Sequence, residues 1–424
     1  MRTILATTPL PSTPTPPVER LPWPMPPTLS NFTFEVPASA KVDPHTTSLV
    51  NDIPEDHEGM QEHWEKADGS IPDAIRDPMY KYLNTKVNNL VFRSRPGGAP
   101  QPLDASAWHF SAFGDFGNGT RAMRDVIKNI KAWKPEFVVS AGDQVYPDSS
   151  ASNWESKLDP PEQFGGLAST VPFIPNMGNH DMKPTAEEYF KRFPYVEGGR
   201  YFKASYKNVD MFSVDSNQPV APGSPQHAWL EQALKDSKAA WKIVQVHHPM
   251  MSVLSKFHYK ETSRLPGDLG PLLAKYGVDL LVAGHEHWYE RSRPLNEAGT
   301  LQVTVGGGGG ALYPFFYPQQ KWSETRDVDF GHVDFEVRGD NELVGRYRTR
   351  DGRVEDTFTI PNRTPAGWKA GDPLVGGAAP VSVERPPVAN GGQKYRNPAT
   401  GPQPVGVPNP GEPLPESSDG ATPT

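Results

Sequence analysis

The chain has 424 residues, a formal net charge of −8 and no cysteine. The absence of cysteine excludes thiolate metal ligands, thiol nucleophiles and disulfide bonds, and no run approaches the ~20 apolar residues of a membrane-spanning helix. No cluster of lysine and arginine marks a nucleic-acid surface. The first residues carry too short an apolar stretch for a signal peptide, which leaves the compartment open.

Composition predicts where the folded part of the chain lies. Residues 1–30 and 361–424 are rich in proline and glycine, and the 48 prolines of the chain are about twice average usage. Such segments lack the apolar content that offsets chain entropy, so we expect two disordered tails. Residues 31–107 show strand-like stretches at residues 31–36 and 87–93 but no repeated strand pattern, so an irregular N-terminal segment is expected. Residues 108–360 remain as one domain with ample material for a core.

Apolar runs and helical patterns alternate along the first part of this domain. Predicted strands cover residues 108–113, 137–141, 172–176, 202–206, 210–214, 241–246, 278–283 and 301–305. Predicted helices cover residues 120–134 and 265–276, and a third begins at Ser224 with an N-cap followed by a first-turn proline. Buried apolar strands that alternate with helices indicate an α/β sandwich.

The last part of the domain reads differently. Residues 306–310 are five consecutive glycines without the Lys-Ser/Thr pair of a nucleotide-binding loop, so a flexible loop that borders the ligand-binding end of the strands is expected there. Three antiparallel strands are then predicted over residues 332–338, 342–349 and 353–360, joined by two turns.

Oxygen and imidazole donors follow the predicted strands at their carboxyl ends, which is where open α/β sheets bind ligands. Asp115 and Asp143 each come after a glycine that ends a predicted strand. His285 likewise follows Gly284 in the sequence Gly-His-Glu-His at residues 284–287. The candidate metal ligands are Asp115, Asp143, Tyr146, Asn179, His247, His285 and His287.

Asp143 is the centre of this set. A carboxylate between two metal ions offers one oxygen to each and holds them roughly 3.5–4 Å apart, as two-metal hydrolases require. A Gly-Asp pair after a strand is by itself an ordinary turn, but the second such pair at Asp115 favours the metal interpretation. Tyr146 adds a hard anionic oxygen suited to a trivalent ion such as Fe(III), although a partly buried tyrosine before proline also explains it.

The remaining donors are neutral. Asn179 offers an amide oxygen, so its metal position favours a divalent ion. His285 and His287 are two residues apart and share a face of an extended segment, which lets them reach two adjacent metals. Alternation along the preceding strand favours His247 over His248 as the ligand.

The ordered motifs resemble those of the calcineurin-like metallophosphoesterases and, within them, the purple acid phosphatases. The resemblance to this subgroup is carried by Tyr146 and by the sequence Gly-His-Glu-His-Trp-Tyr-Glu-Arg at residues 284–291. One difference is Asp181, which stands where members of the subgroup commonly have glutamate. The resemblance implies a four-layer α/β/β/α sandwich of two mixed sheets flanked by helices. It also implies Fe(III) held by Asp115, Asp143, Tyr146 and His287. A divalent iron, zinc or manganese ion would be held by Asp143, Asn179, His247 and His285.

The activity implied by the resemblance is hydrolysis of a phosphate monoester by attack of a metal-bound hydroxide. His180 corresponds to a substrate-facing histidine that binds the phosphate or protonates the leaving group, and His258 lies near a second one, at a different spacing. The expected partner is a small phosphate ester and not a nucleic acid, and family members lean towards an extracytoplasmic or secreted location. The oligomeric state is open.

Two other functions fit the same residues. A phosphodiesterase or nucleotide hydrolase with two divalent ions would use the same scaffold. Visible absorption by a tyrosinate–Fe(III) pair is expected for the phosphomonoesterase and not for this alternative. A non-catalytic metal-binding or adhesion module acting through its proline-rich tails is the alternative from another class. The intact spacing of all seven donors argues against that module.

Overall fold

The computed structural model describes residues 21–41, 43–45, 107–252, 264–313 and 319–363. Its strands are β1 Thr33–Glu35, β2 Trp108–Phe113, β3 Phe137–Ser140, β4 Phe173–Ile174, β5 Phe202–Tyr206, β6 Val209–Val214, β7 Trp241–Val246, β8 Leu280–Ala283, β9 Tyr289–Ser292, β10 Leu301–Val305, β11 Ser323–Asp327, β12 Gly331–Arg338, β13 Glu342–Thr349 and β14 Val354–Pro361. Its α-helices are α1 Arg121–Trp133, α2 Ala151–Lys157, α3 Gly165–Ala168, α4 Glu187–Arg192, α5 Pro225–Asp236, α6 Leu265–Asp268 and α7 Gly270–Lys275.

The described strands form two mixed sheets. One has the order β1-β5-β6-β7-β8-β10-β9-β11 and the other β14-β13-β12-β2-β3-β4. Alternate residues of β7 show how the layers pack: Ile243 belongs to the large apolar core that both sheets share, whereas Val244 packs with residues of α5 to α7 on the other face. The α/β sandwich of two mixed sheets with flanking helices, predicted from the sequence, is confirmed.

Helix α1 illustrates how local sequence sets an element. The side chain of Thr120 caps the helix by accepting a hydrogen bond from the Met123 N–H at 3.2 Å. Apolar side chains at helical spacing, among them Met123 and Val126, are buried against the sheet. The helix ends at Trp133, and the φ of 56° at the following Lys134 takes the chain out of the right-handed helical region.

The parallel strands of both sheets end on the same side of the molecule. β2, β3 and β4 are parallel neighbours in one sheet, and β6, β7, β8 and β10 are parallel neighbours in the other. We call the side where these strands end the carboxyl edge and the side where they begin the amino edge. Every predicted ligand lies on a loop at the carboxyl edge or, for His287, just before β9.

Some elements differ from the sequence prediction. The single helix expected over residues 265–276 is divided into α6 and α7, with Pro271 in the first turn of α7, because proline has no N–H to continue the first helix. The antiparallel strands β9 and β11 were not expected, and they pair with each other at one end of their sheet.

The five-glycine run is the clearest correction. The loop expected to be flexible is buried instead. The N–H of Gly308 donates to the Gly114 carbonyl at 3.0 Å, and the N–H of Gly310 donates to the Asp115 carbonyl at 2.6 Å. Glycine is needed because these backbones approach closely, not because the loop is mobile.

The chain before the domain also packs onto it. Trp23 is 5% exposed and meets the ring of Phe164 edge-on, with 5.5 Å between ring centroids. Residues 33–35 form β1, which pairs with β5. The disordered tail expected over residues 1–30 therefore needs correction at its end, because a large apolar side chain anchors it. Residues 1–20, 46–106 and 364–424, where the rest of the tail and N-terminal-segment predictions fall, lie outside the described residues.

Among the helices of the described residues, none combines the length and the hydropathy that a bilayer span needs.

Candidate metal centre

Three of the predicted ligands have a left-handed backbone. Asp115 has a φ of 56°, Asp143 of 49° and His285 of 67°. For a residue with a Cβ this conformation costs on the order of 1–2 kcal/mol, and it persists where the surrounding structure enforces it. Each of the three follows a glycine at the end of a parallel strand. The strain turns the three side chains inward at the carboxyl edge.

One set of side chains meets around the hydroxyl of Tyr146, and we call Asp115, Tyr146 and His287 the tyrosine group. This hydroxyl lies 3.1 Å from Asp115 Oδ1 and 3.0 Å from His287 Nε2. His287 Nε2 is in turn 3.4 Å from Asp115 Oδ1. Three donor atoms therefore face one point, and all three residues are at most 1% exposed.

A second set meets around the imidazole of His247, and we call Asn179, His247 and His285 the histidine group. His247 Nε2 lies 3.0 Å from Asn179 Oδ1 and 3.2 Å from His285 Nδ1. These donors are a neutral amide and two imidazoles. The histidine group thus carries no formal negative charge of its own, unlike the tyrosine group.

Asp143 lies between the two groups. Its Oδ2 is 3.1 Å from the Tyr146 hydroxyl and 3.3 Å from His247 Nε2. Its Oδ1 accepts a hydrogen bond from the His180 N–H at 2.9 Å. A carboxylate that bridges two metals was expected to offer one oxygen to each, but the same oxygen, Oδ2, faces both groups. The backbone N–H of His180 holds the other oxygen away.

Backbone carbonyls determine which ring nitrogens face this cluster. Nδ1 of His247 lies 2.8 Å from the Ala141 carbonyl, and Nδ1 of His287 lies 2.6 Å from the Ala311 carbonyl. A carbonyl only accepts, so each Nδ1 carries a proton and the Nε2 lone pair of the neutral ring points into the cluster. Because lone pairs and carboxylate oxygens converge there, the cluster requires cations or shared protons. These residues fit a pair of metal ions.

The pKa directions describe the same charge pattern. Burial alone would raise the pKa of Asp143, but His247 and His180 outweigh it and hold that pKa well below its usual range. Burial would lower the pKa of His247, and the carboxylate of Asp143 instead raises it to about 9. Burial, with Asp115 and Asp143, raises the pKa of Tyr146 well above its ordinary value. A cation at the cluster takes the place of the proton on His247 and favours the phenolate of Tyr146.

Close packing fixes the loops that carry the ligands. Asp181 joins two of them, because its carboxylate accepts the N–H groups of Gln144 and Gly178, each at 2.8 Å. A Cβ on Gly178 would collide with the carboxylate of Asp143. Lys157 Nζ donates to the Tyr146 carbonyl at 2.6 Å. The sequence singled out Asp181 as a departure from the subgroup but did not show this bridging contact.

His180 lies at the rim of the cluster. Its Nε2 is 4.0 Å from Asp143 Oδ2, and its Nδ1 is 2.5 Å from the Pro147 carbonyl, so Nδ1 carries the proton of the neutral ring. His248 instead points Nδ1 at the Ser216 hydroxyl at 2.7 Å, with its ring 4.3 Å from that of His285. His258 lies outside the described residues.

A residue that the sequence reasoning missed also touches the tyrosine group. The ring of Tyr313 stacks on the imidazole of His287, with 4.2 Å between centroids and 8° between planes. Its position, 26 residues after His287 and past the glycine run, gives no sequence signal for this contact.

Comparison with known proteins agrees with the fold and with the family resemblance. The family model of the calcineurin-like phosphoesterases matches residues 109–289. Residues 109–289 are therefore similar to a calcineurin-like phosphoesterase domain. The resemblance to the purple acid phosphatases is also confirmed, as the relatives below show.

Two curated relatives are plant proteins from Arabidopsis thaliana. Purple acid phosphatase 21 is 30% identical over 251 residues, which cover 53% of this chain and 55% of the relative. Probable inactive purple acid phosphatase 1 is 27% identical over 293 residues, which cover 59% of this chain and 47% of the relative. The chain thus spans about half the length of these curated relatives, one of which is named inactive.

A solved structure gives the same fold. The purple acid phosphatase PPD1 from yellow lupin (Lupinus luteus) superposes with a TM-score of 0.51 at 24% sequence identity, over 62% of this chain and 55% of that one. At this identity the likeness supports the fold alone.

Proposed function

We propose that this protein hydrolyses phosphate monoesters with a pair of metal ions, an Fe(III) and a divalent iron, zinc or manganese ion. The observation that carries the proposal is the position of Asp143, whose Oδ2 faces both donor groups at 3.1 and 3.3 Å. In this proposal Fe(III) is held by Asp115, Asp143, Tyr146 and His287. The divalent ion is held by Asp143, Asn179, His247 and His285.

Two metal ions bound in this way would neutralise the charge of the phosphate and lower the pKa of bound water to near neutrality. The chain itself supplies the unequal donors. The tyrosine group offers a carboxylate and a phenol, which favour a trivalent ion, whereas the histidine group offers neutral donors that suit a divalent one. The backbone N–H of His180 holds the Asp143 carboxylate, and Asp181 joins the loops of Gln144 and Gly178 on either side of it.

His180 is the proposed general acid. Because its Nδ1 proton is directed at the Pro147 carbonyl, its Nε2 is the atom that faces the substrate. The imidazole therefore donates a proton to the departing alkoxide from Nε2, in its protonated form. No side-chain nucleophile is required, and the chain has no cysteine to provide one.

Purified protein loaded with iron and zinc provides the test. We expect about two metal ions per chain, hydrolysis of an aryl phosphate, and a visible charge-transfer band that Tyr146→Phe abolishes. A panel containing a bis-aryl phosphate and a nucleotide measures the preference between monoester and diester. A colourless manganese form with full activity, or a preference for diesters, would instead support the phosphodiesterase alternative with two divalent ions.

The relative named inactive makes activity itself a point to measure. If the metal-loaded protein hydrolyses none of these esters while retaining both ions, the hydrolase proposal fails. The metal site would then stand alone.

A further inference from the structure

We propose that Tyr313 is a positioning residue for His287, holding the imidazole so that Nε2 faces the first metal position. This inference rests on the proposed function, because it assigns His287 to a metal ion. It adds a residue that neither the sequence motifs nor the seven donors include.

The segment from Gly310 to Tyr313 encloses the His287 ring on several sides. The Ala311 carbonyl accepts from Nδ1 at 2.6 Å, and the Tyr313 N–H donates to the His287 carbonyl at 3.1 Å. A Cβ on Gly310 would come within 2.8 Å of His287 Cε1, so the segment presses against the ring edge. These contacts fix the backbone and one nitrogen of His287.

The ring of Tyr313 fixes what remains, the plane of the imidazole. The two rings are nearly parallel, at 8°, with centroids 4.2 Å apart. The Tyr313 hydroxyl lies 3.5 Å from Nε2. A metal ion bound to an imidazole lies in the plane of its ring, whereas this hydroxyl belongs to a parallel ring. Tyr313 therefore supports the donor and is not itself a ligand.

Simple core packing is the competing explanation for this contact. Tyr313 is 2% exposed, and buried aromatic pairs stabilise many proteins without any role in a site. The two explanations differ in what they predict for metal retention. A packing residue affects stability and both metals alike, but a residue that positions His287 affects the metal of the tyrosine group selectively.

The test compares Tyr313→Leu and Tyr313→Phe in the full chain loaded with Fe(III) and Zn(II). Iron and zinc release to a chelator is followed by elemental analysis, and the visible band reports the environment of the iron. We expect Tyr313→Leu to release iron about 10–100-fold faster than wild type, the usual cost of removing a group that orients a metal ligand, with zinc release unchanged. Tyr313→Phe keeps the stacked ring, so its iron release should stay within about threefold of wild type.

Tyr206→Leu is the matched control. Tyr206 stacks on Phe32 with centroids 4.5 Å apart, at the amino edge, so its loss should leave the release of both metals unchanged. Equal iron release from wild type and Tyr313→Leu would overturn the positioning role while leaving the proposed function intact. Parallel loss of iron and zinc would overturn it in favour of packing. If wild type binds no metal, both the proposed function and this inference fail.

Discussion

The carboxyl edge and the amino edge of the sheets contain different kinds of buried residues. At the carboxyl edge, charged and polar side chains are buried on strained loops, with positive φ at Asp115, Asp143 and His285. At the amino edge, aromatic rings pack at the starts of β2 and β3. Trp108, the first residue of β2, and Phe137, the first of β3, both contact Tyr206 at centroid distances of 5.6 and 5.5 Å.

The contrast separates two tasks. Burying like charges and strained backbone lowers stability, so the carboxyl edge needs support from elsewhere in the fold. Buried aromatic area at the amino edge provides such support. Substitutions at the carboxyl edge should therefore change chemistry first, and substitutions at the amino edge should change stability first.

The largest expected effect is that of Asp143→Asn. Replacing the shared carboxylate removes negative charge from both donor groups, so both metals should be lost, and kcat/KM for an aryl phosphate should fall about 10³-fold or more. The control is Asp210→Asn at the amino edge, a buried carboxylate that accepts from the hydroxyls of Ser205 and Ser237. Comparable activity of the Asp143 variant and wild type would remove the basis for a shared carboxylate.

Next in size is His180→Gln. Without a proton donor beside the leaving group, kcat should fall about 10²-fold for an alkyl phosphate while metal content stays at the wild-type level. The effect should shrink for an aryl ester, whose leaving group needs less protonation. His109→Gln, a partly buried histidine on β2, serves as the control. An equal loss for alkyl and aryl esters would contradict the role as acid.

Tyr206→Leu tests the other side of the comparison. Loss of the stacked ring should lower the free energy of unfolding by about 2 kcal/mol, measured by denaturant titration, with kcat/KM unchanged at a permissive temperature. Loss of activity without loss of stability would show that the two edges are not separate in function.

The smallest effect concerns Asp279, which precedes β8 at the amino edge. Burial raises its pKa to about 7, although its carboxylate accepts the Lys242 N–H at 2.9 Å. Because the pKa of Asp279 is higher in the folded state than in the unfolded state, the contribution of this group to stability depends on pH. It is fully present below pH ~4, the unfolded pKa, and is lost as pH rises through about 7.

Asp279→Asn should therefore be more stable than wild type at pH 8 and equally stable at pH 4, because only the wild-type carboxyl ionises between these two pH values. Urea titrations of both proteins at the two pH values measure the difference in their free energies of unfolding. The titration of all other groups cancels from this difference. A gain that is equal at both pH values would show that ionisation of Asp279 is not its cause.

The sequence predicted which side chains meet at the carboxyl edge because its signals are local. An apolar strand followed by Gly-Asp or Gly-His identifies both the strand end and the donor, as at Asp143 and His285. Strand β9 was not predicted because Glu290 and Arg291 are charged, and charged residues do not indicate a buried strand. Both are buried in the structure. Arg291 is held by Asp356, with Nε 2.7 Å from Oδ2, a partner 65 residues away.

Long-range contacts explain the other differences. The five glycines carry no side chains to indicate their neighbours, so their packing against Gly114 and Asp115 was not predictable. The contact of Tyr313 with His287 is equally non-local. Which oxygen of Asp143 faces the two groups depends on the N–H of His180, a detail of backbone geometry that spacing does not encode.

Anomalous scattering from a crystal of the iron- and zinc-loaded protein would locate both metal ions relative to Asp143. We expect two peaks roughly 3.5–4 Å apart, iron beside Tyr146 and zinc beside His247, with Asp143 Oδ2 between them. A single peak, or two peaks that do not share Asp143, would contradict this expectation.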